Sequence, residues 1–419
     1  MNSYQSATQT GYCTEAPSHW PIMKLKRLIS VSSGDFLAPE DETSDGFPVY
    51  GGNGIRGYAA KPNCHGRTLL IGRVGAYCGN VHLVDGDFWY SEHALRVFSI
   101  KAFSLDFFKH LIRVIDLNQF ANRTAQPLIN SSTTTDRYAA IPPLPEQERI
   151  AAYLDASCAA IDAVVAAKRH QLETLDAVRE SIIETAVTRG LSANPKRRVV
   201  DHDWVGALPE RWEAVRIKRV ISRLDYGISV SSEPEGKYPV LKMGNIQAGE
   251  IVFSKMEFVD EVADELLLEN NDLLYNRTNS PDQVGKAALF LGSKDDAVTF
   301  ASYLVRLRVN HRIIPEFLNY VVNCAGFLAF ARRLAIPSVQ QSNLNSTRYG
   351  RLHIPLPSVT EQRAICEHLN TKVGEMKRVV TTIETQIATL TAYRKSLIHE
   401  CVTGQRRITE NDTSNLMLT

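Results

Sequence analysis

The chain has 419 residues, 44% of them hydrophobic and 22% charged, with 47 Lys and Arg against 46 Asp and Glu. At roughly 100–200 residues per domain this is too long for one ordinary core, and the composition excludes a disordered, collagenous or wholly coiled-coil chain. A net charge of +1 is not that of a strongly basic nucleic-acid binder.

In chain order, residues 1–16 read as an N-terminal leader. They lack the basic start and apolar core of a signal peptide. Residues 17–145 read as a first globular part of mixed α and β character. Short apolar runs such as RTLLIGRVG and FWYSEHALRVF, bounded by Gly, Asn and Asp, have the look of strands, whereas SLDFFKHLIRVIDLNQF has helical spacing. Residues 146–191 form one long helix without proline or glycine until Gly190. A linker at 192–203 leads to a second mixed part at 204–357, with strand-like KAALFLG and FASYLVRLRV and helical PEFLNYVVNCAGFLAFARRL. A second long helix at 358–404 and a polar tail at 405–419 complete the chain. No run of eighteen apolar residues is present, so no membrane span is expected. The seven cysteines are scattered, odd in number and without a CxxC pair, which points to reduced thiols in a cytoplasmic protein.

The two long helices are copies of one another. EQERIAAYLDAS (146–157) aligns with EQRAICEHLNTK (361–372), and the register continues ungapped through Gln171/Gln386, Leu175/Leu390, Arg179/Arg394 and Thr188/Thr403. Trp20 with LKRLIS echoes Trp212 with IKRVIS, and FPVYGGNG (47–54) echoes YPVLKMGN (238–245). The chain is therefore a tandem duplication. Steps of four and three along each helix give an apolar seam, Leu154, Cys158, Ile161, Val165 and onward in the first, Leu369, Val373, Met376, Val380, Ile383 and onward in the second. Lys168, Arg179 and Arg394 alone interrupt it. Two such helices in one chain can pair with each other. At about 1.5 Å per residue each would be a rod of about 65 Å, long enough to act as a ruler between the two globular parts.

The search for a catalytic centre finds no convincing constellation. Gly52, Gly54 and Gly57 spell GxGxxG, but Pro62 stands where a dinucleotide-binding helix would have to run, so a turn between strands explains the spacing better. Asp225, Glu235 and Lys237 could be read as a nuclease triad, but such triplets are common and the segment reads as a surface loop. No metal site is expected. What remains are donor-rich loops on two similar platforms. Asn53, Arg56, Arg73, Tyr77, Asn80 and Gln126 lie in YGGNGIRGY, IGRVGAYCGN and ANRTAQPLINSSTTT of the first part. Asn245, Arg277, Thr278, Asn279, Ser280, Lys286, Gln340 and Gln341 lie in LKMGNI, YNRTNSPDQVGK and IPSVQQSNLNS of the second. Arg matches guanine, Asn and Gln match adenine, and Ser, Thr and backbone N–H groups match phosphates, so these fourteen are the candidate DNA-binding residues.

Two variable parts, each followed by an IP-x-LP…EQ lead-in and a repeated long helix, resemble the specificity subunits of type I restriction–modification enzymes, as do the segments YNRTNSPDQVGK and YGGNGIRGY. The resemblance covers residues 17–405. It implies an α+β chain with two mixed α/β target recognition domains separated by a two-helix antiparallel coiled coil, with pseudo-twofold symmetry. It also implies a non-catalytic, sequence-specific subunit that reads a bipartite asymmetric site in double-stranded DNA. The implied partners are two modification (methyltransferase) subunits and, where the system includes them, two restriction/translocase subunits. No cofactor is then bound by this chain; S-adenosylmethionine, ATP and Mg belong to the partners. Glu146, Gln147, Glu361 and Gln362 are expected to be exposed to those subunits. Two other classes are a DNA-modifying enzyme with an atypical centre, which S-adenosylmethionine or metal binding by the isolated chain would reveal, and a DNA-free protein scaffold.

Overall fold

In the computed structural model, which describes residues 3–123, 126–202 and 204–416, the chain divides into two compact units. They are not the consecutive segments expected. The first comprises residues 1–169 with 384–419, the second residues 170–383. Both long helices, Leu144–Arg189 and Val359–Val402, contribute one part to each unit, because each helix is paired with its copy.

The first unit is built on a four-stranded antiparallel sheet in the order Val81–Val84, Thr68–Gly72, Ala94–Ser99, Ile29–Ser33. Thr68–Gly72 is buried along its whole length, which is why TLLIG is a continuous apolar run rather than an alternating one. A second, five-stranded sheet pairs Phe47–Gly51 antiparallel with Gly54–Ala59 and parallel with Asp87–Tyr90. FWYSEHALRVF is thus two strands in two sheets. The helix Leu105–Ile115 starts where the Ser104 hydroxyl accepts from the Phe107 N–H and buries Phe107, Phe108, Leu111, Ile112 and Ile115 along one face. It stops at Asp116, which adopts φ +49, short of the helical run expected to reach Phe120.

Within this unit, segment 144–169 of the first long helix and segment 384–402 of the second run antiparallel. Asp162 meets Arg394 at 2.9 Å, and Lys168 Nζ donates to Gln386 Oε1 at 2.6 Å. Two of the three interruptions of the seam therefore have polar partners across it. Leu154, Cys158, Ile161 and Val165 are buried with Leu397, Ile398 and Cys401. An eighteen-residue window of the first long helix has a mean hydropathy of 1.6, enough by length and composition to cross a membrane, contrary to the expectation from apolar runs. Its alanines account for much of that value, and Ile150, Leu154, Ile161 and Val165 are committed to this core, whereas Val164 is exposed.

The second unit repeats the plan. A six-stranded sheet runs Ile221–Tyr226, Leu304–Val309, Leu273–Asn276, Ala287–Leu289, Glu250–Ile251, Ile246–Gln247, again with fully buried strands, Leu273–Asn276 and Ala287–Leu289, in the interior. PEFLNYVVNCAGFLAFARRL forms two helices, Pro315–Asn323 and Ala325–Arg333, broken where Cys324 is extended. Ala186 and Val187 share a core with Ile365, Cys366 and Leu369.

Three expected peripheral segments are structured. Tyr4–Ser6 pairs with Glu15–Pro17, and Ala7, Cys13 and Ala16 are buried, so the segment expected as a leader carries a hairpin packed on the first core. Arg197–His202 pairs with Val205–Pro209 in the same place in the second unit, within the expected linker. Ile408 of the expected tail is buried in the first core. Residues 1, 2, 203 and 417–419 of these segments lie outside the described residues. Each long helix ends at a glycine with positive φ, Gly190 or Gly404, which lies against Trp212 or Trp20 respectively, so a Cβ there would crowd the indole.

The glutamines of the two EQ lead-ins are buried rather than exposed. Gln147 accepts from the Ser104 N–H and donates to the Pro142 carbonyl, both at 2.9 Å. Gln362 accepts from the Ile314 N–H at 2.7 Å and donates to the carbonyls of Arg312 and Pro357 at 3.0 and 2.9 Å. Both tie the start of a shorter helix to the start of a long one. The Glu146 carboxylate, half-buried, accepts from Trp20 and bonds His19. This removes the two glutamines from any surface offered to partners. All seven cysteines are buried, without disulfides.

Candidate nucleic-acid interface

Arg73 follows the central strand of the first unit. Its N–H donates to the His93 carbonyl at 2.8 Å, and its carbonyl accepts from Ile129 at 2.9 Å. Arg277 follows the equivalent strand of the second unit. It repeats the pattern, donating to the Tyr303 carbonyl and accepting from Leu344, at 2.9 and 2.8 Å. The two loops are thus equivalent in backbone as well as in sequence position. Both return to the sheet in the same way, through Gly72 with Gly79 and Asn80 in one and Asn276 with Gly285 and Lys286 in the other.

The side chains differ. The Arg73 guanidinium donates to Ser33 Oγ and to the Glu92 carbonyl, both at 3.0 Å, which fixes its direction. The Arg277 guanidinium lies over the Tyr226 ring, 5.2 Å from its centroid. Neither Ser33 nor Tyr226 stood out in the sequence, because each comes from a distant strand of its sheet.

Around Arg73 the structure gathers most of the first-unit candidates. YGGNG is the hairpin turn between Phe47–Gly51 and Gly54–Ala59. It crosses the Arg73 loop backbone to backbone: a Cβ at Gly72 would overlap the Gly52 carbonyl, and one at Gly52 would lie 2.5 Å from the Val74 carbonyl. Only glycine allows this approach. Asn80 Nδ2 then donates to Asn53 Oδ1 at 2.8 Å, and both residues are exposed. Tyr77 is 60% exposed at the loop tip, braced by Asn118, which donates to the carbonyls of Ala76 and Cys78. Gln126 is exposed near Gly75; Thr124 and Ala125 of that segment lie outside the described residues. Arg56 is held by Glu42 at 3.1 Å.

In the second unit, Thr278 and Asn279 form a short strand with Gln341–Asn343, which pairs in turn with Ile336–Ser338. This small sheet carries Gln341, half-buried, and Gln340, exposed at the tip with φ +60. Asn279 Oδ1 accepts from the Ser280 N–H, Ser280 Oγ donates to Asp282, and Lys286 Nζ donates to Gln283, so this loop is internally bonded. Hydrogen bonds from Ser280 and Gln283 hold the exposed Asp282 carboxyl below its usual range. Asn245 does not join the group. It is buried, accepts from the Lys242 N–H and donates to the carbonyls of Val252 and Ser254, closing its own turn. It is a scaffold residue, and a polar loop sequence alone could not distinguish an amide turned inward.

Asp225 of the supposed nuclease triad is committed to Arg306, with Nη2 to Oδ2 at 2.6 Å. The fully buried Arg306 also donates to the carbonyls of Glu265 and Leu267. That network ties the strand bearing Tyr226 to the centre of its sheet.

Residues 17–174 match a family described as the type I restriction modification DNA specificity domain. Over 134 residues the chain is 36% identical to the type I restriction enzyme EcoprrI specificity subunit of Escherichia coli, covering 32% of this chain and 33% of that one. It is 26% identical over 205 residues to the putative type I restriction enzyme MjaX specificity subunit of Methanocaldococcus jannaschii, covering 48% and 47%. The chain thus spans about a third and about half of the length of these relatives. A chain from a solved structure concerned with the assembly and conformational transition of a type I R-M system matches 93% of this chain and 99% of itself, with a TM-score of 0.71 at 16% identity, which is a likeness of fold.

Proposed function

We propose that this chain, whose residues 17–174 match the type I restriction modification DNA specificity domain, belongs to that family and is the non-catalytic subunit that selects the DNA site for a methylating complex. The observation that carries the reading is the repetition of one loop geometry, Arg73 and Arg277 held by the same pair of backbone bonds behind the same central strand. Duplicated platforms with different loop sequences suit a site made of two different halves. Arg73, Tyr77, Asn80 and Asn53 would face one half, Arg277 and the Gln340–Gln341 hairpin the other. Arg73, held by Ser33, is suited to a fixed bidentate contact with guanine.

Two copies of a methyltransferase subunit are the natural partners of a duplicated chain, and translocase subunits would join them in a complete restriction system. S-adenosylmethionine, ATP and Mg would be bound by those partners. With a net charge of only +1, this chain alone would hold DNA weakly, and much of the phosphate contact would fall to the partners.

The test is to map methylated adenines in host DNA with and without the gene, and again after residues 17–140 are exchanged for those of another family member. The expected result is a bipartite methylated sequence that depends on the gene and changes in one half only. Both halves changing together, or no gene-dependent methylation, would overturn the reading.

A further inference from the structure

Charge in the second unit is segregated along the chain. Residues 204–316 hold fourteen Lys and Arg against seventeen Asp and Glu, whereas residues 317–360 hold four Arg and no acid. The balanced total conceals an acid-free segment, part of it buried and part exposed. From it projects the hairpin Ile336–Ser338/Gln341–Asn343, closed by the two residues Val339 and Gln340. Val339 is 90% exposed. Arg348 donates to the Leu334 carbonyl at 3.0 Å, which places one guanidinium at the hairpin base, while Arg332 donates to the carbonyl of Asp282, a residue exposed outside the hairpin.

An exposed apolar residue on a hairpin is ordinarily a liability for strand-to-strand association. Here the outer strand carries Pro337, which lacks the N–H that pairing with another strand would use. The shape instead suits the major groove, about 12 Å wide, which admits a two-stranded ribbon. Apart from Val339 the tip offers Ser338, Gln340 and Gln341, and no carboxylate to repel phosphate.

We propose that this hairpin enters the major groove and reads one A·T pair, with Gln340 on the adenine edge and Val339 against the thymine methyl. Arg348, exposed at the hairpin base, takes a flanking phosphate. The proposal rests on the DNA-selecting role argued above and adds the groove, the residues and the base pair.

The test uses the full chain assembled with its methylating partners. In the half-site assigned to the second unit, each thymine is replaced in turn by deoxyuridine, which lacks the methyl group. The expected result is one position where the replacement weakens binding by the wild type several-fold but leaves binding by Val339→Ala unchanged. Gln340→Ala should relax adenine preference at the same pair by roughly tenfold. If the complex binds its site specifically and no position shows this coupling, the hairpin does not read a thymine and the proposal fails while the DNA-selecting role stands. If no specific binding occurs, that role fails first. If Val339→Asp abolishes assembly with the partners, the hairpin is a protein interface and the proposal is overturned.

Discussion

Replacing Gln362 by Leu removes both polar ends of a fully buried side chain while nearly preserving its volume. Three backbone groups lose their side-chain partner: the Ile314 N–H and the carbonyls of Arg312 and Pro357. A buried group left unsatisfied costs about 1–3 kcal/mol and the added apolar burial returns roughly 1 kcal/mol, so with three such groups the net loss is about 2–8 kcal/mol. For a unit of this size each kcal/mol moves Tm by about 2–4 °C, which gives a fall on the order of 10 °C. Scanning calorimetry of the full chain measures it, with Gln147→Leu in parallel. That substitution orphans only two groups, the Ser104 N–H and the Pro142 carbonyl, and should cost less. Gln362→Glu is the sharper control. It keeps the acceptor for Ile314 but turns a carboxylate oxygen toward two carbonyls, so it should recover nothing. A loss below about 1 kcal/mol for Gln362→Leu, or a larger loss for Gln147→Leu, would refute the assignment of these side chains as internal braces.

Arg306→Met leaves the Asp225 carboxylate and one face of Asp272 without the buried guanidinium, and should destabilise the second unit by about 3–5 kcal/mol in urea titrations. A change under 1 kcal/mol would show the pair to be dispensable. Burial pushes the Asp155 carboxyl up, but hydrogen bonds from His110 and Lys109 overcome it and hold the group at about 2. A depressed carboxyl contributes stability that is present above about pH 4 and lost as the pH falls toward 2. Asp155→Asn should therefore reduce the fall in urea midpoint across that window, and an unaltered acid dependence would exclude the pair as its source. Asn276, fully buried with neither amide atom bonded, should tolerate Leu with a gain of about 1–2 kcal/mol, seen as a higher urea midpoint. A loss of that size would mean the amide is satisfied in solution.

The duplication, the long helices and the seam were legible because they depend on local spacing. Leu154, Cys158 and Ile161 are buried where steps of four and three place them. The division into units was not legible, since it depends on each helix pairing with a segment more than two hundred residues away. The hairpins at 4–17 and 197–209 were missed because their strands are only three to six residues long and lack a clear alternation of apolar and polar residues. At the candidate site, glycine and asparagine marked the loops correctly as turns, and Arg73 and Arg277 as equivalents. Composition could not tell an amide that faces outward, as in Asn53, from one that closes its own turn, as in Asn245, or from one that braces a helix, as in Gln362. Val339 has no periodic signal at all; only the hairpin turn makes it prominent.

The buried thiols give the molecule a built-in record of its own openings. Cys13, Cys64, Cys78, Cys158 and Cys401 belong to the first unit, and Cys324 and Cys366 to the second. Burial pushes the thiols of Cys324, Cys366 and Cys401 up to about 12, so while they stay buried almost none is thiolate. Alkylation must then wait for larger openings. The order in which peptides from the two sets acquire label would show which unit lets go first, and whether bound DNA holds one of them shut.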